Sequence, residues 1–180
     1  MVSMSAASGL GKIHVITGPG RGKTTAAFGL ALRAAGHGLR VCIVQFMKAG
    51  QTTGEVLAAK RIREIEIAQF GTGKFIEPGK LSKEDIECAR KGLEHARRIL
   101  AQGKCQLLIL DEINLAASFG LVSVKDIFEL LDSCEGAVEI VLTGRNAPQE
   151  LLQRADYVSV IESKKHPFDK GARARQGIEW

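Results

Sequence analysis

A chain of 180 residues holds one domain and leaves no room for a second of comfortable size. Its 45% hydrophobic and 25% charged residues exclude a disordered or collagen-like protein, and no run approaches the about 18 apolar residues of a membrane span. Cys42, Cys88, Cys105 and Cys134 form no CxxC pair, so neither a zinc ribbon nor a disulfide framework is suggested. The net charge of +5 suits nucleic acid, an acidic membrane or a polyphosphate ligand. Between Ser163 and Trp180, five basic residues stand against Asp169 and Glu179, so this tail alone supplies +3 of it. The opening residues MVSMSAASGLG lack the basic start and apolar run of a secretory signal, which leads to the expectation of a cytoplasmic protein with a frayed N-terminus.

Strand and helix signals alternate along the chain. Lys12 to Thr17 reads as a strand, Gly18 to Gly22 as a glycine-rich loop and Thr24 to Ala35 as a helix. Arg40 to Phe46 is a second strand, and Ile62 to Phe70 alternates like a strand with one polar face. GTGKFIEPGK (Gly71 to Lys80) predicts a long loop, after which Ser82 caps a helix to about Gln102 whose apolar stripe holds Ile86, Ala89, Leu93, Ala96 and Leu100. Gln106 to Leu110 is the most apolar run and ends in Asp111-Glu112, which marks a central strand. Ser123 caps a helix to about Leu131, Val138 to Thr143 is a strand, Pro148 opens a short helix, and Tyr157 to Ile161 is the last strand. Six strands with helices between them predict a single α/β domain: a mostly parallel six-stranded sheet with helices on both faces. From about residue 163 the basic tail shows no period and is expected as surface loop and turns.

TGPGRGKTT (Thr17 to Thr25) stands between a strand and a helix, the context a phosphate loop requires. In such a loop Gly18, Gly20 and Gly22 let backbone amides converge, Lys23 neutralises phosphate oxygens, and the hydroxyls of Thr24 and Thr25 follow at the helix start, with Thr24 placed to ligate Mg²⁺. The strict GxxxxGK[ST] pattern asks for glycine at position 17, where this chain has Thr17, so the loop is a variant. An incidental glycine turn is the bland alternative. Arg21 faces either phosphate or solvent. Asp111 and Glu112, at the end of an apolar strand, occupy the place where a P-loop protein holds its metal, although acidic residues also open helices without further purpose. Because the two alternate sides, one of them reaches the ion, and Glu112 is the candidate. Arg145, after the following strand, belongs either to the same edge of the sheet or to the plain surface; Arg33 on the first helix likewise faces nucleotide or solvent.

Taken together, TGPGRGKTTAAFGLALRAAGHG (Thr17 to Gly38), IVQFMK (Ile43 to Lys48), LLILDEIN (Leu107 to Asn114), VLTGRNAPQELLQRADYVSVI (Val141 to Ile161) and KKHPFDKGARARQGIEW (Lys164 to Trp180) resemble the P-loop corrinoid adenosyltransferases, the ATP:cob(I)alamin enzymes. The likeness runs from about Gly11 to Trp180, and its C-terminal segment is more diagnostic than the phosphate loop. It implies a RecA-like fold, a homodimer, and transfer of the 5′-deoxyadenosyl group of ATP to the Co(I) of cobalamin or a cobinamide-type corrinoid, with release of triphosphate. The substrates it implies are ATP and reduced corrinoid; Mg²⁺, with Mn²⁺ as the other ion, is the cofactor, and a reductase delivers the electron.

In that scheme cobalt is the nucleophile. Lys23 and the loop amides, with the metal held by Thr24 and Glu112, stabilise the departing triphosphate, and the nucleotide lies in the reversed sense of ordinary P-loop ATPases; Arg21, Arg33 and Arg145 stand beside these as nucleotide-binding candidates from their own positions. The family removes the lower axial ligand of the corrinoid with apolar side chains. The matching loop here, Gly71 to Gly79, offers Phe75 in place of the usual phenylalanine and tryptophan pair, and Trp180 aligns with a terminal aromatic position instead. His166 is a corrinoid-contacting candidate on the same grounds, and Phe168 packs the tail onto the sheet. Longer members carry a further basic segment before the first strand. Two other classes remain beside the enzyme: a RecA-type ATPase on nucleic acid, and a corrinoid or nucleotide carrier without turnover. The resemblance favours neither nucleic acid nor membrane as a partner.

Overall fold

The computed structural model of the chain describes residues 9–50, 53–77, 79–134, 136–167, 171 and 173–179. Six strands, β1 (Ile13–Thr17), β2 (Val41–Phe46), β3 (Ile65–Phe70), β4 (Leu107–Asp111), β5 (Glu139–Thr143) and β6 (Tyr157–Val160), form one sheet in the order β3-β2-β4-β5-β1-β6. Every ladder is parallel, a stricter outcome than the mostly parallel sheet expected. With β5 between the loop-bearing strand β1 and the acidic strand β4, the α/β architecture is of the P-loop, RecA-like kind. Phe168 and Trp180 lie outside the described residues.

Parallel strands need crossover helices, and these bury alternate strand residues on opposite faces. On one face α1 (Lys23–Gly36) and α2 (Gly54–Ala59) cover Ile43, Ile109 and Val141, with Ala27, Ala31, Ala34 and Ala35 allowing α1 to approach closely. On the other, α3 (Lys83–Ala101), α4 (Ile113–Phe119), α5 (Val124–Asp132) and α6 (Gln149–Arg154) pack Leu93, Ile127, Leu130 and Leu151 over Val44, Leu108, Leu110 and Leu142. Each such buried Leu or Ile contributes about 1.5–3 kcal/mol of transfer free energy. β4 is buried at all five positions, as its unbroken apolar run requires.

The expected caps are present: the Ser82 hydroxyl accepts from the Asp85 amide at 3.1 Å, and that of Ser123 from Asp126 at 3.0 Å. Three differences are found. β3 starts at Ile65 instead of Ile62, because Ile62 closes a turn after α2 by donating its amide to Ala59. The short helices α2 and α4, of six and seven residues, were not foreseen; neither is long enough to display a helical period. No helix among the described residues is long and apolar enough to cross a membrane.

Candidate active site

All six strands deliver their C-terminal ends to one edge of the sheet, and the chemistry-bearing residues gather there. Gly22, with φ of 113°, is the N-cap of α1, and Lys23 and Thr24 open that helix. Gly20 donates its amide to the Ile161 carbonyl at 2.7 Å. A Cβ at Gly20 would stand 2.6–2.7 Å from the backbone of Ile161 and Glu162, so only glycine lets the loop seat on the chain leaving β6. Lys23 is buried, and its Nζ donates to the carbonyls of Gly18 at 2.7 Å and Gly20 at 2.6 Å. Burial first, then Arg145, lowers its pKa, with Glu112 opposing.

Asp111 is the hub beneath the loop. It is fully buried, and four donors saturate it: Thr24 Oγ1 at 2.9 Å and Thr143 Oγ1 at 2.7 Å on Oδ1, Gln45 Nε2 at 2.8 Å and Lys48 Nζ at 2.7 Å on Oδ2. Burial alone would raise its pKa, yet the Lys48 charge and these hydrogen bonds hold the carboxyl below its ordinary value. Glu112 differs in every respect. It leaves β4 in the left-handed region at φ 64°, donates its amide to Thr143 Oγ1 at 3.0 Å, and carries a buried Oε2 without a hydrogen-bond partner. Burial, then the neighbouring Asp111, pushes its carboxyl up.

Thr24 and Glu112 therefore offer hard oxygen donors of the kind a divalent cation takes, the Glu112 oxygen being buried and without a hydrogen-bond partner. Among the described residues no three His, Cys, Asp or Glu side chains gather as a metal site, so a divalent ion here would take the rest of its shell from water and from a ligand such as phosphate. The three non-glycine residues with positive φ among those described, Met47, Glu112 and Asn146, all follow strands at this same edge. Each costs about 1–2 kcal/mol, a strain concentrated where the site is built.

Two cavities open at the edge, each of about 670 Å³. The first is polar and runs from the loop (Pro19 to Thr25) past Phe28, Lys48 and Glu112 to Arg145 and His166, with Glu55 on one wall and Gly177 to Glu179 of the tail on another. The second is mainly apolar, bordered by Met47, Phe75, Ile76, Leu115 and Phe119, and again by Arg145 and Asn146. Phe75, 90% exposed, is free to meet a ligand face. His166, a candidate for corrinoid contact, borders the polar cavity. Arg21 lines that cavity while tied to the tail, through an ion pair with Glu179 at 3.1 Å and a bond to the Ile178 carbonyl. Arg33 stands apart: it is exposed on the last turn of α1, ten residues and about 15 Å along the helix from Lys23, because one helix cannot present both ends to one site.

The ATP:corrinoid adenosyltransferases of the BtuR/CobO/CobP kind match residues 10–180. The chain belongs to this family. A corrinoid adenosyltransferase of Sinorhizobium sp is 35% identical over 173 residues, covering 94% of this chain and 80% of that protein. Those of Escherichia coli (strain K12) and Pseudomonas aeruginosa are 34% and 32% identical, each covering 94% of this chain and 86% and 84% of the relative. As an ATP:corrinoid adenosyltransferase, the chain is an enzyme that adenosylates corrinoids. For this adenosyltransferase the sequence reading left Lys48, Gln45 and Thr143 without a role. Their signal was their place in the IVQFMK and VLTGR segments that carry the resemblance and their position, since all three sit at or just past strand ends that a parallel sheet brings to one edge.

Proposed function

We propose that the polar cavity binds the triphosphate of ATP and the apolar cavity binds the corrinoid, so that C5′ meets cobalt where the two adjoin. The observation that carries this is Arg145, which borders both cavities. In this reading Lys23, the loop amides and Arg145 hold the triphosphate, and the Thr24 hydroxyl with the open Glu112 oxygen would hold Mg²⁺ or Mn²⁺, which supplies further charge neutralisation to the phosphates when bound. Asp111 fixes Thr24 and Lys48 in place. Phe75, Ile76 and Met47 give the corrinoid an apolar wall with no axial donor, which favours a four-coordinate, more reducible cobalt.

The Co(I) electron pair then forms the Co–C5′ bond while the C5′–O pair leaves with triphosphate. An electron-donating partner supplies Co(I), and the homodimer rests on the family likeness. The test is incubation with ATP, Mg²⁺ and chemically reduced cobalamin or cobinamide. The expected result is a light-sensitive alkylated corrinoid with one equivalent of triphosphate. Release of ADP and phosphate, stimulated by DNA and abolished by salt, would indicate an ATPase on nucleic acid; binding of both substrates without triphosphate would indicate a carrier.

A further inference from the structure

We infer that Lys48 is a catalytic residue of the adenosyl transfer, its ammonium placed to meet the oxygen on which charge accumulates as the C5′–O bond breaks. This rests on the proposed assignment of the two cavities. The argument starts at the end of β2, where Met47 takes the left-handed conformation at φ 58°. That turn sends two consecutive side chains into different spaces: Met47 borders the apolar cavity and Lys48 the polar one. The Met47–Lys48 step thus joins the walls of the two cavities, with Lys48 on the polar side. Gly71 seats the Phe75 loop directly on this turn, since a Cβ there would lie 2.5 Å from the Lys48 nitrogen and 2.6 Å from the Met47 carbonyl carbon.

The Lys48 ammonium is oriented by its 2.7 Å bond to Asp111 Oδ2, and Asp111 is itself immobilised by Thr24, Thr143 and Gln45. One of three N–H donors is spent in this way, and the side chain, 21% exposed, lines the polar cavity. Lys23 is engaged with the loop carbonyls of Gly18 and Gly20. The reaction transfers no proton: cobalt's pair makes the Co–C bond, the C–O pair moves onto the phosphate oxygen, and the anion gains charge at the junction. What accelerates such a step is a preorganised cation beside that oxygen, stronger in the transition state than in the ground state.

The experiment is steady-state kinetics of Lys48→Met and Lys48→Arg with ATP, Mg²⁺ and chemically reduced cobalamin, following triphosphate and the alkylated product. Lys48→Met is expected to lower kcat about 100-fold or more while the KM for ATP changes less than about threefold, and Lys48→Arg to recover at least about a tenth of kcat. Lys48→Met/Asp111→Asn, which leaves no buried charge unpaired, keeps the measurement available if the single variant does not fold, and is expected to remain as slow. An unchanged kcat with a raised KM, or a double variant restored to wild-type kcat, overturns the inference by reducing Lys48 to phosphate binding or to neutralising Asp111. Failure of the wild-type protein itself to release triphosphate would instead refute the underlying cavity assignment.

Discussion

Two adjacent carboxylates illustrate how much a residue's role depends on its surroundings. Asp111 and Glu112 are neighbours in sequence, but four donors consume the first while the second keeps a buried open oxygen. Because Glu112 has its folded-state pKa raised above the unfolded value, the native state holds the proton longer. Its ionisation therefore costs stability that is absent below the ordinary carboxylate range and grows as pH rises through the raised value. Glu112→Gln is expected to raise the melting temperature of the nucleotide-free protein at pH 8, with the gain vanishing toward pH 4, while turnover falls at least about tenfold. A thermal melt series across pH, run beside the activity assay, checks both signs. Lys23→Ala is expected to abolish turnover while circular dichroism keeps its native shape, because the proposed role of the side chain is on the phosphates and its bonds within the loop are local.

Among the elements, the segment between β3 and α3 reaches the site through one close contact. Gly71→Ala places a methyl against the Met47–Lys48 backbone, a rigid neighbour, so the loop carrying Phe75 must shift. The expected outcome is a KM for corrinoid raised about tenfold or more with the KM for ATP little changed, measured by varying each substrate in turn. Ser82→Ala serves as the contrast. It removes the capping box of α3, with the Ser82 hydroxyl bonded to the Asp85 amide and the Asp85 carboxylate to the Ser82 amide, both at 3.1 Å. About 1 kcal/mol of stability is lost by denaturant titration, with both KM values unchanged. The long elements and their caps were legible in the sequence because a nineteen-residue helix repeats its stripe several times. α2 and α4 were not, since six or seven residues complete barely two turns and no proline opens them as Pro148 opens the equally short α6.

At the scale of the whole molecule, the two chain regions that meet at the loop lie at opposite ends of the sequence. The tail folds back so that Glu179 pairs with Arg21 and with Arg175, and the two arginines hold the Glu179 carboxyl down at about 2, the Arg175 hydrogen bonds contributing most. The loop, the acidic strand end and the tail thus wall one cavity, and a nucleotide bound there as proposed would bridge all three. MgATP at a hundred times its Kd is expected to stabilise the fold by about 2.7 kcal/mol, a rise of roughly 5–10 °C in melting temperature. Mg²⁺ without nucleotide is expected to shift it by far less, because the protein side chains alone leave the ion's shell incomplete. Differential scanning calorimetry with each ligand separately and together reads the difference.

The linear order of residues by itself determined the alternating strands and helices, the phosphate loop with Lys23 and Thr24, the acidic strand end and the family, because each is written in local periodicity or in contiguous motifs. Which carboxylate stays open, that Arg33 lies a helix length from the loop, that His166 and Lys48 line the polar cavity, and that Arg145 borders both cavities were decided only by the tertiary structure. The reason is geometric. A parallel sheet brings strand ends from positions 17, 46, 111 and 143 to one edge, and the direction of each side chain there follows from left-handed turns at Met47, Glu112 and Asn146 that no local pattern announces.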